Sequence, residues 1–484
     1  MEAKDLTATI ADINNKLVDD GITNHMHRME WLACAMAAQR FGGSVLAETP
    51  TNDAIARVLH ETDTGHEQTT EQLRTLADIF DDIRYNGETP EDVADLLKKA
   101  ADVRAFLNSP DWRGEDVFQI MYEIIAVKQK SARGQVFTPA HIGQLMAAVL
   151  DVHEGDHVLD AACGTGSLLL KCYAAGVMSQ DLYGVEWDRE MFALCVANIL
   201  AHNDGIAHVK LGDSKTSEVA DWIRAADISK TIMNPPYENK YGCPDIVGNV
   251  LEAVPDNTRV AMLLPDKKLE KFTKRKRERI TKRAVLDAVV KLPKDLFEPL
   301  ASVSVSLFIW ETGTPQEDRS YAAMCMEDDG FTTYKNSVRI DTQGKWPERC
   351  AYWVDIIRND KYDKAGGCLQ SATDGLSYKE PEKPFVIYDE DFKKAAFDYL
   401  LFEMRENAIK AGTYTKPEKP LTISDIMVSG AFIPNPEFPH KLPACSMAPY
   451  AIRMLEVEDY YGGKHMEPVK IGDEPHMRPV RGDG

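Results

Sequence analysis

The chain has 484 residues, 44% of them hydrophobic, and a formal net charge of −21. That length exceeds one ordinary core and predicts two or three domains, while no run of about 18 apolar residues marks a membrane span and the start, MEAKDLTATIADINNK, lacks a signal-peptide core. The acid excess disfavours a protein that grips nucleic acid alone, and the nine scattered Cys, without a CxxC pair, exclude a disulfide scaffold or a zinc site and suit a cytoplasmic location.

Residues 1–125 read as a helical domain. Within Asn24–Phe41, Met26, Met29, Leu32, Ala33, Met36 and Ala37 recur at helical spacing. Thr89-Pro90-Glu91-Asp92 is a helix start with proline in the first turn, continued by Val93, Leu96, Leu97 and Ala100.

From about 140 to 312, short apolar runs alternate with amphipathic stretches. The runs are His157–Asp160, Leu182–Glu186, Ala207–Leu211, Thr231–Met233, Val260–Leu264, Leu286–Leu292 and Val303–Trp310. This predicts an α/β fold with an open, mostly parallel, Rossmann-like sheet covered on both faces. The closeness of the last two runs predicts an antiparallel hairpin at one edge. Residues 313–380 are less regular, Asp389–Ala411 is helical in pattern, and a Pro-rich tail, read as irregular or partner-dependent, follows from Lys416.

Ligands of open α/β sheets bind at the carboxyl ends of strands. The first strand ends in Asp160-Ala161-Ala162-Cys163-Gly164-Thr165-Gly166, whose glycines permit close approach of the backbone. The second ends in Glu186-Trp187, a carboxylate for ribose hydroxyls and an indole for stacking on adenine. The third ends in Asp213-Ser214, where Asp213 could accept from an adenine amino group. Each alone is weak, and an Asp at a turn is often only a cap. Their recurrence once per βα unit, with no phosphate-cradling GxxxxGK[ST] loop, suits a cationic sulfonium cofactor, S-adenosylmethionine.

The fourth strand ends in Asn234-Pro235-Pro236-Tyr237. An exocyclic amine is a poor nucleophile because its lone pair is delocalised into the ring. The Asn234 side-chain oxygen and the Pro235 carbonyl could accept both of its N–H hydrogens. The prolines remove competing donors and stiffen the turn, and Tyr237 offers a stacking face for an extruded base.

These segments resemble the amino-methyltransferases that modify adenine N6 in DNA, and among them the modification subunits of type I restriction–modification systems. Gly134-Gln135-Val136-Phe137-Thr138-Pro139 resembles the family's segment that closes over the methionine part of the cofactor. Residues 160–166 resemble its D-P-A-C-G-T-G loop, with Ala161 where Pro is frequent, and Asn234–Tyr237 resemble its N-P-P-[YF] motif. The resemblance covers about 125–312. It implies a class I S-adenosylmethionine-dependent methyltransferase domain at 126–315 with a seven-strand sheet, followed by a sheet-completing and helical region at 316–415 and an extension at 416–484. It implies a cofactor site comprising Gln135, Phe137, Thr138, Pro139, Asp160, Ala161, Cys163, Gly164, Thr165, Gly166, Glu186, Trp187, Asp213, Ser214 and Asn234. It also implies DNA as substrate, a separate specificity subunit, and a place for a restriction subunit.

Lys or Arg stands at 267, 268, 271, 274, 275, 276, 277, 279, 282 and 283. This run is read as touching DNA phosphates, with Lys267, Lys268, Lys271, Lys274, Arg275, Lys276 and Arg277 as the contacts; a solvated helix face is the plain alternative. Pro255-Asp256 with Asp266-Lys267-Lys268 loosely fits a nuclease pattern and is read as chance. His141, His153 and His157 lack metal-ligand spacing. Competing functions are methylation of a protein glutamine amide, which an N-P-P-Y turn also serves, and a non-catalytic assembly subunit.

Overall fold

A computed structural model describes residues 3–83, 89–128, 137–298, 303–333 and 339–380, scattered positions from 399 to 412, and the segments 466–471 and 474–479. Residues 1–381 form one compact unit and 382–484 a second.

The first unit begins with α1 (Ala3–Asp19), α2 (His25–Glu48), α3 (Asn52–Glu61), α4 (Glu67–Asp82), α5 (Pro90–Leu107) and α6 (Val117–Lys128). Asn24 caps α2 by accepting from the Met26 N–H (2.9 Å), and Thr89 caps α5 by accepting from Asp92 (3.2 Å). The α2 stripe read from sequence is only part of what is covered: Arg28 through Ala38 are all buried. Arg28 is tolerated there because Asn14 Oδ1 (2.8 Å) and the Ile22 (2.9 Å) and Thr23 (2.7 Å) carbonyls accept from it.

The α/β part follows: α7 (Ala140–Leu150), β1 (Val158–Asp160), α8 (Ser167–Ala174), β2 (Leu182–Glu186), α9 (Arg189–Leu200), β3 (His208–Leu211), α10 (Ser217–Ala225), β4 (Lys230–Met233), α11 (Cys243–Ala253), β5 (Arg259–Pro265), α12 (Lys274–Arg283), β6 (Ala284–Lys291), β7 (Val305–Thr312), β8 (Ser320–Cys325), β9 (Thr332–Thr333), β10 (Arg339–Ile340), α13 (Trp346–Arg358) and β11 (Cys368–Ser371). The strand order is β11-β8-β6-β7-β5-β4-β1-β2-β3. β3, β2, β1, β4 and β5 run parallel, and β7 is antiparallel to both β5 and β6. The chain winds outward from β1 to β3 and then returns to β4 beside β1. That reversal opens a crevice at the carboxyl ends of these two strands.

The helical part docks on the edge at β3. Arg40 Nη1 donates to the Leu200 (2.9 Å) and Gly205 (2.7 Å) carbonyls, and Gln72 Nε2 to the Ala207 carbonyl (2.8 Å).

Two features differ from the sequence reading. The β6–β7 pair is antiparallel but lies inside the sheet, because β8 pairs parallel to β6 and β11 pairs antiparallel to β8. The sheet therefore has nine strands rather than seven. Both added strands come from 316–415, whose residues read as irregular but which the resemblance implies to be sheet-completing; Tyr321 to Met324 are buried, and the Tyr321 hydroxyl is satisfied by the Gly375 and Ser377 carbonyls at 2.9 Å each. In the second unit, β12 (Met466–Ile471) and β13 (Glu474–Pro479) pair antiparallel within the tail read as irregular. Gly472-Asp473 separates them, a hairpin signal in sequence. The helical pattern at Asp389–Ala411 lies largely outside the described residues. Among the described residues, no helix is long and apolar enough to cross a membrane.

Candidate active site

The turn after β1 is shaped by two glycines with positive φ, Gly164 (54°) and Gly166 (86°). A Cβ added at Gly166 would stand 2.9 Å from Cys195 Sγ, so the loop lies against α9 with no room to spare. The Gly164 N–H donates to Glu186 Oε2 (2.9 Å), and Glu186 Oε1 accepts from the Trp187 and Asp188 N–H groups at 2.9 Å each. The end of β2 thus clasps the turn of β1.

Glu186 and Asp160 are both buried. Burial raises the Glu186 carboxyl above its usual range. Burial first, then the Glu186 charge, push Asp160 up to about 8, although the Ala162 N–H (3.0 Å) opposes this. Neither carboxylate is ion-paired among the described residues. Two desolvated acids side by side make a place that favours a cation.

These groups line a cleft of about 720 Å³. Of the residues proposed from sequence, it gathers Phe137, Thr138, Asp160, Ala161, Cys163, Gly164, Thr165, Glu186, Trp187, Asp213, Ser214 and Asn234 through Tyr237. Gly166 lies beneath the wall as the residue capping α8, Pro139 faces a second cavity, and Gln135 lies outside the described residues. Ser214 supports the loop by donating to the Ala161 carbonyl (2.6 Å). Asp213 accepts from the Lys215 N–H (3.0 Å) and pairs with its ammonium (3.2 Å). Trp187 is 62% exposed and meets Tyr241 in a T-shaped contact at 5.7 Å.

Asn234 follows β4 at the opposite side of this cleft. Its Nδ2 donates to Thr138 Oγ1 (2.9 Å), and its Oδ1 accepts from the Tyr237 hydroxyl (2.6 Å). Burial holds the Tyr237 phenol well above its usual range, so it stays a neutral donor. Lys268 is buried and donates to the Tyr237 carbonyl. So Thr138 lines the cleft and also touches the Asn234 turn, while Lys268, read as a DNA contact, is buried against that turn. Thr138 bonds the Asn234 amide, and Lys268 bonds the backbone of the same turn.

The rest of the basic run divides in two. Lys276 pairs with Asp245 (2.8 Å), Arg279 with Glu252 (2.5 Å), and Arg283 with Asp256, so these clamp α12 against α11 and the turn after it. Arg277 donates to the Glu270 carbonyl (3.1 Å). Lys267, Lys271, Lys274 and Arg275 are exposed. The two acids of the nuclease-like pattern are engaged structurally, Asp256 by Arg283 and Asp266 by the Ser306 hydroxyl (2.9 Å). His141 stacks on Phe331 at 3.8 Å and bonds Asp329 (2.9 Å), which is held in turn by Arg339. No cluster of metal-ligating groups occurs among the described residues.

Sequence reasoning missed the groups behind the loop. Asp116 is buried, caps α6 at Phe118 (2.9 Å) and Gln119 (3.0 Å), and accepts from Thr165 Oγ1 (2.5 Å) and Asn198 Nδ2 (2.8 Å). An Asp directly before the apolar VFQIMYEII run was the available signal, as a helix start. Lys215, Met191, Tyr241, Ile246 and Val303 also line the cleft, and nothing in their local sequence marks them.

Residues 113–250 match the N-6 DNA Methylase family. The chain is 24% identical over 299 residues to the type II restriction enzyme and methyltransferase RM.BcgI of Heyndrickxia coagulans, covering 56% of this chain and 46% of that protein. It is 23% identical over 235 residues to the type I restriction enzyme EcoEI methylase subunit of Escherichia coli, covering 42% and 48%. The chain thus spans about half the length of the curated relatives it matches. In fold it is similar to a chain of a type I restriction–modification system, with a TM-score of 0.57 and 16% identity over 85% of this chain and 99% of that one. The protein therefore carries an N-6 DNA methylase domain and resembles the methylase subunits of type I restriction enzymes.

Proposed function

We propose that this chain transfers the methyl group of S-adenosylmethionine to adenine N6 in DNA, as the modification subunit of a type I-like restriction–modification complex. One observation carries the reading: Asn234-Pro235-Pro236-Tyr237 and the Asp160–Thr165 loop line the same cleft, which also holds the buried carboxyl groups of Asp160 and Glu186. The names of the relatives support DNA as substrate and a place among restriction subunits.

The residues present fit the cofactor. The two positive-φ glycines let the backbone come close to a ligand, and unpaired buried acids suit a sulfonium better than a pyrophosphate. When bound, S-adenosylmethionine supplies an electrophilic methyl group. Glu186 and Asp213 stand at strand ends where they would accept from ribose and adenine groups, with the exposed Trp187 ring beside them. Asp160 would lie near the positive charge.

On the substrate side, Asn234 Oδ1 and the Pro235 carbonyl would accept the two N–H hydrogens of the target amine and draw its nitrogen out of conjugation. The Tyr237 ring would stack on the extruded base. No strong base is required, because the amine becomes acidic as it is methylated; the gain is positioning and electrostatics. Exposed Lys267, Lys271, Lys274 and Arg275 would meet phosphates, and a specificity subunit would carry the remaining contacts that a net charge of −21 disfavours.

The test is methyl transfer from labelled cofactor to mixed-sequence DNA, with and without the proteins encoded beside the gene. Label on adenine, appearing or strengthening with a partner, supports the reading. Label on protein and never on DNA overturns it in favour of amide methylation.

A further inference from the structure

The cofactor loop is held from behind by a residue outside the strand ends. Thr165 lies between Gly164 and Gly166, both at positive φ, so the direction of the loop turns on it. Its hydroxyl donates to Asp116 Oδ2 (2.5 Å) and its carbonyl accepts from Asn198 Nδ2 (2.9 Å); the same Nδ2 donates to Asp116 Oδ1 (2.8 Å). Both partners of the Asn198 amide are acceptors only, which fixes its orientation. All three side chains are buried.

Asp116 is also the residue that caps α6, through the Phe118 and Gln119 N–H groups. From α6, Tyr122 meets Phe137 at 4.8 Å between ring centres, and Phe137 lines the same cleft as the loop. The residues just before Asp116 are tied down as well. Lys171 of α8 donates to the Gly114 carbonyl (3.1 Å) and pairs with Glu115 (2.8 Å). A Cβ at Gly114 would stand 2.3 Å from the Leu170 carbonyl oxygen, so this segment lies directly on the helix that the loop enters.

We propose that Asp116 is a positioning residue for cofactor binding: its carboxylate clamps Thr165, directly and through Asn198, and joins the glycine loop to the helix whose Tyr122 packs against Phe137 of the same cleft. The inference rests on the cofactor half of the proposed function and not on the identity of the methyl acceptor. A capped α6 and a correctly curved loop are one network, so ordering one orders the other.

The experiment uses the full chain with Asp116→Ala, Asp116→Asn and Asn198→Ala. S-adenosylhomocysteine affinity is measured by calorimetry well below the unfolding temperature, beside the thermal midpoint and, where DNA methylation is found, kcat and KM for the cofactor. Asp116→Ala is expected to weaken binding at least tenfold and to raise the cofactor KM in parallel, with kcat at saturation falling less than threefold. Asp116→Asn, which keeps an oxygen for the α6 cap and a polar group for Thr165, should recover most of the affinity. Should Asp116→Ala not fold, Asn198→Ala, remote from the cleft, should still weaken binding severalfold. A lowered midpoint with unchanged affinity in Asp116→Ala, or in Asn198→Ala where only that variant folds, overturns the proposal. A wild-type chain that binds S-adenosylhomocysteine yet methylates no DNA with any partner overturns the DNA reading alone and leaves the Asp116 test intact.

Discussion

The Tyr237 hydroxyl donates to Asn234 Oδ1 at 2.6 Å, the same oxygen proposed to accept from a substrate amine. A hydrogen bond of this kind contributes about 1 kcal/mol net, so substrate binding displaces it at modest cost. Tyr237→Phe keeps the ring and frees the oxygen. It should retain kcat within about tenfold of wild type, while Tyr237→Ala, losing a stacking contact of roughly 1–3 kcal/mol, should weaken base engagement about tenfold or more. Steady-state methylation of DNA by the two variants separates the ring from the hydroxyl; equal losses in both would mean that the hydroxyl itself is needed.

Asn234→Ala removes the side-chain acceptor and leaves the loop after β1 intact. Loss of one positioned polar group in an active site costs about 100- to 1,000-fold in kcat. Affinity for S-adenosylhomocysteine should stay within about threefold of wild type, because the contacts that Asn234 makes are to Thr138 and Tyr237. Calorimetry beside single-turnover rates checks this, and a variant that no longer binds the ligand would move Asn234 to the cofactor side.

The acid pair gives a pH dependence with a definite sign. Asp160 is raised from 3.8 to about 8 by burial and by Glu186. Its contribution to stability is therefore fully present below pH 3.8 and is lost as pH rises towards 8. A bound cation lowers that pKa, so binding expels a proton and strengthens as pH rises through the same range. Affinity for the sulfonium cofactor, relative to S-adenosylhomocysteine, which lacks the sulfonium charge, should grow several-fold from pH 6 to 9. Asp160→Asn should flatten the ratio, and titration calorimetry in two buffers of different ionisation heat would detect the released proton.

Charge reversal should separate the two halves of the basic run. Lys271→Glu, Lys274→Glu and Arg275→Glu change exposed groups. They should lower DNA affinity and reduce the salt slope by about 0.9 for each phosphate contact removed. Arg279→Ala instead breaks a pair with Glu252 and a bond to Asn249 (2.6 Å). It should lower stability by about 1 kcal/mol and leave the salt slope alone. Binding isotherms at several salt concentrations, beside denaturant melts, make the comparison; an unchanged slope in the triple variant would remove α12 from the DNA surface.

Gly166→Ala places a methyl group 2.9 Å from Cys195 Sγ on a backbone at φ 86°. Positive-φ strain and the contact together should cost about 1–3 kcal/mol and weaken cofactor binding. The conservative control, Ala161→Pro, restores the residue frequent in the resembled loop. Thermal melts and S-adenosylhomocysteine binding would show whether the close approach matters.

Much of the sheet is legible in the sequence because its strands are short, apolar and buried on both faces, as in Val305–Trp310. The strand-end groups Asp160, Glu186, Asp213 and Asn234 could be read as a set because a βα unit returns the chain to the same edge each time. The resemblance implies that 316–415 completes the sheet, but β8 and β11 themselves were not legible in the residues, because their runs are short and gain partners only when β6 is in place. The bonds made by Thr138 and Lys268, and the role of Asp116 altogether, were not legible for a related reason. Each acts on a residue far away in sequence, Asn234, the Tyr237 carbonyl and Thr165.

The sequence by itself determined the kind of site: which acids, glycines and prolines end which strands, since local spacing and backbone preference decide that. Only the tertiary structure decided how the site is held. Hydrogen bonds and ion pairs at this scale depend on distances of about 3 Å. Packing α6 behind the loop and α12 against α11 sets those distances, and it divides one run of like charges into clamps and free contacts.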